Sequence, residues 1–196
     1  LSKQAAFSSD SSLLNQIWSV SEETFKLCSD LFFIDGIKRD RWIWSGDAYQ
    51  SFMINQYLFF DEEINKRTIL ALRGQNEIKQ HMNTIVDYSI LWLIGIENHY
   101  MMTKDYEFLR IVYPKMQSLM RYLMEQTNEL GFIYGRAKDW IFIDWSEMDK
   151  EGTLAAEQVL LLKAYHSMIT CRDILAETYG ENENYHTHLY QEKYQL

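Results

Sequence analysis

The residues able to do chemistry gather in three stretches. The first reads Asp35-Gly36-Ile37-Lys38-Arg39-Asp40-Arg41-Trp42-Ile43-Trp44-Ser45-Gly46-Asp47. Its carboxylates are interleaved with two arginines and two indoles. The second is Asp87-Tyr88, and the third holds Asp139-Trp140 and Asp144-Trp145-Ser146-Glu147. Carboxylates supply general acids and bases and accept hydrogen bonds from sugar hydroxyls. An indole face stacks on the apolar face of a pyranose. Acid and indole recurring together in several loops point to carbohydrate chemistry, although no single pair would.

Each of these residues also has a structural role open to it. Asp47 follows Ser45-Gly46 at a helix start and Asp87 opens another helix, so both suit an N-cap or first-turn acid. Lys38-Arg39-Asp40-Arg41, taken alone, reads as a surface salt-bridge cluster. Trp18 and Trp92 lie on apolar helical faces and belong to the core. Trp44, Trp140 and Trp145 lie among acids and are candidates for a site. His186 and His188 have no acidic or thiol partner at a familiar spacing, so no metal site and no cofactor is expected. The serine-hydrolase elbow, the phosphate-binding glycine loop, paired cysteine motifs, the His-Glu-x-x-His zinc motif and the calcium-loop aspartate spacing are all missing from the sequence.

Composition narrows the partner. Across 196 residues, 47% are hydrophobic and 15% aromatic, too many for a disordered chain. One proline and eight glycines are too few for a sandwich of many short strands, which favours helices. A formal charge of −9 argues against nucleic acid or an anionic membrane surface and suits a neutral ligand such as a sugar. No segment approaches the ~18 apolar residues of a membrane span; even 91–102 is broken by Glu97, Asn98 and His99. Cys28 and Cys171 sit in apolar helical patterns and read as free buried thiols.

The periodicity of apolar residues predicts seven helices to position these loops. The first follows the N-cap cluster Ser8-Ser9-Asp10-Ser11 and carries Leu13, Leu14, Ile17, Trp18, Phe25 and Cys28. The others are expected at about 47–60, 61–80, 87–102, from 105 onward, 153–179 and from about 183. Pro114 should kink or divide the fifth. Alternation over 131–145 predicts a short β-hairpin near 132–142. Helices two, four and six are apolar nearly all round, whereas one, three and five carry a single apolar stripe. The connections into helices two, four and six are long and those leaving them are short. An inner ring of buried helices with an outer amphipathic ring explains both facts, and it would bring the acidic loops to one rim.

The first loop resembles the sequence block of bacterial α-L-rhamnosidases of glycoside hydrolase family 78, through Asp35 to Arg41 and then Trp44-Ser45-Gly46-Asp47. Phe7-Ser8-Ser9-Asp10 with Leu14-Asn15-Gln16-Ile17-Trp18 is similar to the start of that family's catalytic domain, and the resemblance extends through Asp139-Trp140 and Asp144-Trp145. It implies an all-α, (α/α)6 toroid of helical hairpins and inverting hydrolysis of terminal α-L-rhamnose without a metal in the chemical step. It also implies that Asp40 is the general acid. Asp35, Arg39, Trp44, Asp47, Asp87, Asp139, Trp140, Asp144 and Trp145 are the implied substrate-binding residues. Asp40 departs from the family's usual glutamate by one methylene, in a loop one residue tighter. A toroid glycosidase for another deoxy-sugar or a uronide, or a non-catalytic sugar-binding relative, remain the alternatives.

Seven helices make three hairpins and a start, where the family closes its toroid with six hairpins. Positions 1–196 therefore read as a single partial toroid domain, about half of one, inactive by itself and with the general base outside this chain. Inner helices left uncovered would favour self-association.

Overall fold

The computed structural model describes residues 5–180 and 188–195, without the side chains of 188 and 189. The chain is helical: α1 (Ser12–Leu27), α2 (Ser45–Leu58), α3 (Glu62–Arg73), α4 (Val86–Thr103), α5 (Tyr106–Met124), α6 (Ala155–Tyr179) and α7 (His188–Gln195), with a 3-10 turn at Met82–Thr84. The expected start of the last helix near 183, His186 and the side chain of His188 lie outside the described residues. No described helix is long and apolar enough to cross a membrane. Packing divides the chain into two compact units, 1–72 and 73–196.

In the first unit, phenylalanines join the helices to the loop between them. Phe25 of α1 stacks on Phe59 and meets Phe33, and Phe33 meets Phe52 of α2 edge-on. The turn from α2 to α3 is tied by Asn55, whose amide donates to the Asp61 carbonyl at 2.7 Å and to Asn65 at 2.9 Å. Asp61 in turn accepts the Ile64 N–H at 3.1 Å, which satisfies one open donor at the start of α3.

In the second unit α4 is the centre. Trp92, Leu93, Ile94 and Ile96 are buried, and α4 is enclosed on nearly every side, as its all-round apolar sequence requires. Burying each such side chain stabilises the fold by roughly 1.5–3 kcal/mol. The chain leaves α4 through Lys104 in a left-handed conformation and re-enters a helix at Asp105, whose carboxylate caps Phe108 N–H at 2.9 Å. A connection this short makes α5 the returning arm of a hairpin. The stripe from Phe108 through Leu123 turns inward. On α6, Leu161, Ala164, Met168 and Cys171 pack inward. Asp87 meets Glu157 near the starts of α4 and α6, and Glu97 meets Lys163 and Ser167 further along, so these two helices run in the same direction.

Four expectations need correction. Pro114 does not divide α5, which continues through it. Pro114 stands on the exposed face, where water can reach the Arg110 carbonyl that loses its helical partner. There is no hairpin within 132–142. Ile133 instead bridges Thr127 antiparallel, and Trp140 bridges Ile85 in parallel, with Val86 N–H to the Trp140 carbonyl and Trp140 N–H to the Thr84 carbonyl, both 2.9 Å. Alternation specifies an extended chain between two environments, not which neighbour pairs with it. Helices α2 and α6 are not enclosed all round: Met53, Ile54 and Tyr57 on α2 and Val159 and Leu162 on α6 are exposed. On α1 the stripe Leu13, Ile17, Val20, Leu27 faces solvent and no α1 residue is buried. A stripe marks a face that would gain from a partner, and the described residues supply none for these.

Candidate functional site

Helix starts separate the two classes of helix. Ser11, Asp61 and Asp105 supply side-chain oxygens to the first turns of α1, α3 and α5. The cap positions of α2, α4 and α6 are instead Trp44, Ile85 and Leu154, with no side-chain cap bond. Each of these three helices has an acid in its first turn: Asp47, Asp87 and Glu157. Neither Asp47 nor Asp87 is therefore an N-cap; their carboxylates are engaged elsewhere.

In the first unit, Asp35 organises the loop ahead of α2. Its carboxylate is enclosed by protein and accepts the N–H of Asp40 at 3.1 Å and of Trp42 at 2.9 Å, while its own N–H donates to the Trp42 carbonyl at 3.1 Å. Arg39 bridges two acids, with Nε 3.5 Å from Asp35 and a terminal nitrogen 3.2 Å from Asp47. Arg41 takes a left-handed backbone, φ 51°, just past the residue these bonds hold. Asp40 is exposed, and its carboxylate has no ion-pair partner among the described residues. Trp44 is half-buried at the α2 cap. The structure thus joins Asp35, Arg39, Asp40 and Asp47 in one frame, with Trp44 at the start of the helix that carries Asp47.

In the second unit Asp139 and Asp87 are turned inward. Asp139 is enclosed and held by Arg136 through Nε at 2.6 Å and a terminal nitrogen at 3.1 Å; Arg136 also donates to the Tyr122 hydroxyl at 2.6 Å. Burial raises the affinity of Asp139 for a proton, but the Arg136 bonds outweigh it and hold the carboxyl below its usual range. His81 lies 3.9 Å from Asp139 and 3.2 Å from the Ser89 hydroxyl. Burial lowers it to about 4, against the pull of Asp139, so at neutral pH it is an uncharged packing group.

Asp87 accepts the N–H of Phe142 at 3.0 Å and of Ile143 at 3.3 Å, 55 and 56 residues away in sequence. Burial raises its pKa against those bonds. Ile143 is β-branched with φ 50°, a costly conformation that the two bonds help to hold. Lys150 donates to the Phe142 and Asp144 carbonyls at 2.6 Å each. The loop so fixed presents an aromatic cluster. Trp140, Phe142 and Trp145 meet edge-to-face with centroids 5.1–6.0 Å apart. Trp140 is 43% and Trp145 71% exposed, which leaves indole surface for a ligand. Asp144 is exposed and accepts the Trp145 N–H at 2.5 Å.

Glu157 was not among the residues singled out by sequence. It is fully buried, and among the described residues neither carboxylate oxygen has an ordinary donor. Burial, then the neighbouring charge of Asp87, pushes it up to about 8. Its signal was available: it opens α6 as Asp47 and Asp87 open α2 and α4.

These features define a helical-hairpin domain with carboxylates and indoles on the segments that lead into alternate helices. The model of the bacterial alpha-L-rhamnosidase six-hairpin glycosidase domain matches residues 2–195, and the chain belongs to that family. Two solved structures are similar. The family 78 rhamnosidase of Bacillus sp. GL1 superposes with a TM-score of 0.81 at 20% identity, over 99% of this chain and 21% of that one. The rhamnosidase from Klebsiella oxytoca with rhamnose bound gives 0.73 at 21% identity, over 97% of this chain and 38% of that one. This chain therefore spans well under half the length of either relative. No curated protein matches it.

Proposed function

We propose that the chain supplies the general-acid part of an inverting hydrolase of terminal α-L-rhamnosides, with Asp40 as the acid. The observation that carries this reading is the frame around Asp40. Asp35 fixes the backbone at that residue and Arg39 ties Asp35 to Asp47, while the Asp40 carboxylate stays exposed and uncommitted. Family membership supports it, as does the rhamnose held by the Klebsiella relative.

Asp40 would donate its proton to the glycosidic oxygen as the bond to the anomeric carbon breaks. A second carboxylate ~6.5–9.5 Å away would take a proton from the attacking water; we assign that base to a part of the protein outside this chain. Arg39 and Asp47 hydrogen-bond sugar hydroxyls, and Trp44 forms a wall beside them. Trp140, Trp145 and Asp144 offer a stacking face and an acceptor. Asp35, Asp87 and Asp139, whose carboxylates are enclosed, act by holding the loops that present the others.

Asp40→Asn in the protein at its full natural length tests the assignment. Turnover of rhamnosides with poor leaving groups should fall on the order of 10²–10⁴-fold. Nitrophenyl α-L-rhamnoside, whose leaving group needs little protonation, should lose far less. Equal loss on both would make Asp40 a binding residue. The β-anomer of rhamnose appearing first by NMR establishes inversion, and the α-anomer first excludes it. Rhamnose binding without any turnover would identify a sugar-binding relative.

A further inference from the structure

We propose that Glu157 is a positioning residue: it shares one proton with Asp87, and this latch holds the aromatic loop 140–145 in place for its ligand. The proposal rests on the reading that this loop faces sugar.

The geometry leaves the two acids little choice. Glu157 is fully buried on α6, and among the described residues neither of its oxygens has a backbone or side-chain N–H to accept. The polar group acting on it is the Asp87 carboxyl on α4, and we take the orphaned oxygens of Glu157 to be satisfied by a proton bonded between the two acids. Two carboxylates are acceptors only, so that bond exists only while a proton lies between them. Asp87 also receives the N–H of Phe142 and Ile143, and the Lys150 ammonium acts on it from the loop. Those donors favour the ionised form of Asp87, so the proton resides on Glu157 and points at Asp87. Asp87, Glu157 and Lys150 are the charged or titratable groups acting on the pair.

The consequence reaches the loop through Asp87. Phe142 touches both exposed indoles, and Ile143 is held at positive φ. Removal of the shared proton puts two negative charges side by side in a buried place. Glu157 is the more deeply buried of the two, so Asp87 is the one displaced, and the amides of Phe142 and Ile143 lose their acceptor. The proton is lost as pH rises through about 8, so the loop is held below that pH and released above it.

The test compares wild type, Glu157→Gln and Asp87→Asn by amide hydrogen exchange at Phe142 and Ile143, corrected for intrinsic rates, from pH 6 to 9.5. L-rhamnose binding is read from Trp fluorescence on the same samples. In wild type, protection of both amides should fall at least about tenfold across pH 8, with rhamnose affinity falling alongside. Glu157→Gln keeps a donor toward Asp87 and has no proton to lose, so its protection and affinity should be flat with pH. Asp87→Asn keeps one carbonyl acceptor in place of two carboxylate oxygens, so at least one of the two amides should lose protection at every pH, with no step. A wild-type profile without a step, or the same step in Glu157→Gln, overturns the latch. If rhamnose still binds in that case, the sugar reading stands by itself. A step that vanishes in Glu157→Gln, in a protein that never binds rhamnose, supports the latch and overturns the sugar reading.

Discussion

Ahead of α2 the enclosed carboxylate of Asp35 is satisfied by two backbone N–H groups, and the charges it organises, Arg39 and Asp40, are presented to water. At the start of α4 and α6 the arrangement is reversed. Asp87 and Glu157 are enclosed, and Asp87 holds the loop that presents a set of indoles to water. The first unit displays charge on a neutralised frame, which suits proton transfer and hydroxyl binding. The second hides charge to hold an apolar face, which suits stacking. The same residue type thus serves opposite ends, according to whether its oxygens find donors locally or across the fold.

This contrast can be broken experimentally. The largest stability effect is expected at the centre of the second unit, where Trp92→Ala should cost about 3–5 kcal/mol by leaving a cavity in enclosed α4; urea unfolding measures it. A loss below about 1 kcal/mol would mean that α4 is not the core.

The next effect is the pH dependence of that unit. Glu157 is held protonated in the fold, up to about 8 against an ordinary 4.5. Its contribution is complete below pH 4.5 and is lost as pH rises to about 8, a change of a few kcal/mol. His81 has the opposite sign: lowered to about 4 from 6.5, it removes stability as pH falls through that window. The two slopes oppose each other between about pH 4.5 and 6.5, so urea midpoints should be nearly level there and decline on either side. Glu157→Gln should remove the alkaline decline and let the His81 slope show from about pH 6.5 down to about 4.

A smaller effect is expected at Glu97, which accepts Lys163 Nζ at 2.5 Å and the Ser167 hydroxyl at 2.6 Å between α4 and α6. Lys163→Ala strands most of that buried charge and should cost about 2 kcal/mol, less than a fully buried pair because Lys163 is partly wet. Arg39→Ala should cost only about 0.2–1 kcal/mol, since half of its side chain is in water. Calorimetry should nevertheless show weakened rhamnose binding for that variant. Smallest of all is Ile17→Ala on the exposed stripe of α1, within about 0.5 kcal/mol for the chain in isolation. A larger loss would show that this face is covered in solution.

Sequence by itself determined where most helices lie, because the period of apolar residues and the caps Ser11 and Asp105 are local properties, but it ran the third helix to about 80 where α3 ends at Arg73. It also determined which of the even-numbered helices lacked a polar stripe and where acid and indole coincide. It could not say whether an apolar stripe meets a partner, as the exposed faces of α1, α2 and α6 show. Nor could it tell that 131–145 pairs with Thr127 and Ile85 rather than with itself. The roles of the acids were decided later still. Asp87 reaches donors 55 residues away, and Glu157 meets Asp87 only because α4 and α6 lie side by side. A carboxyl's charge follows from its desolvation and its donors, and both come from chain segments that only tertiary packing brings together.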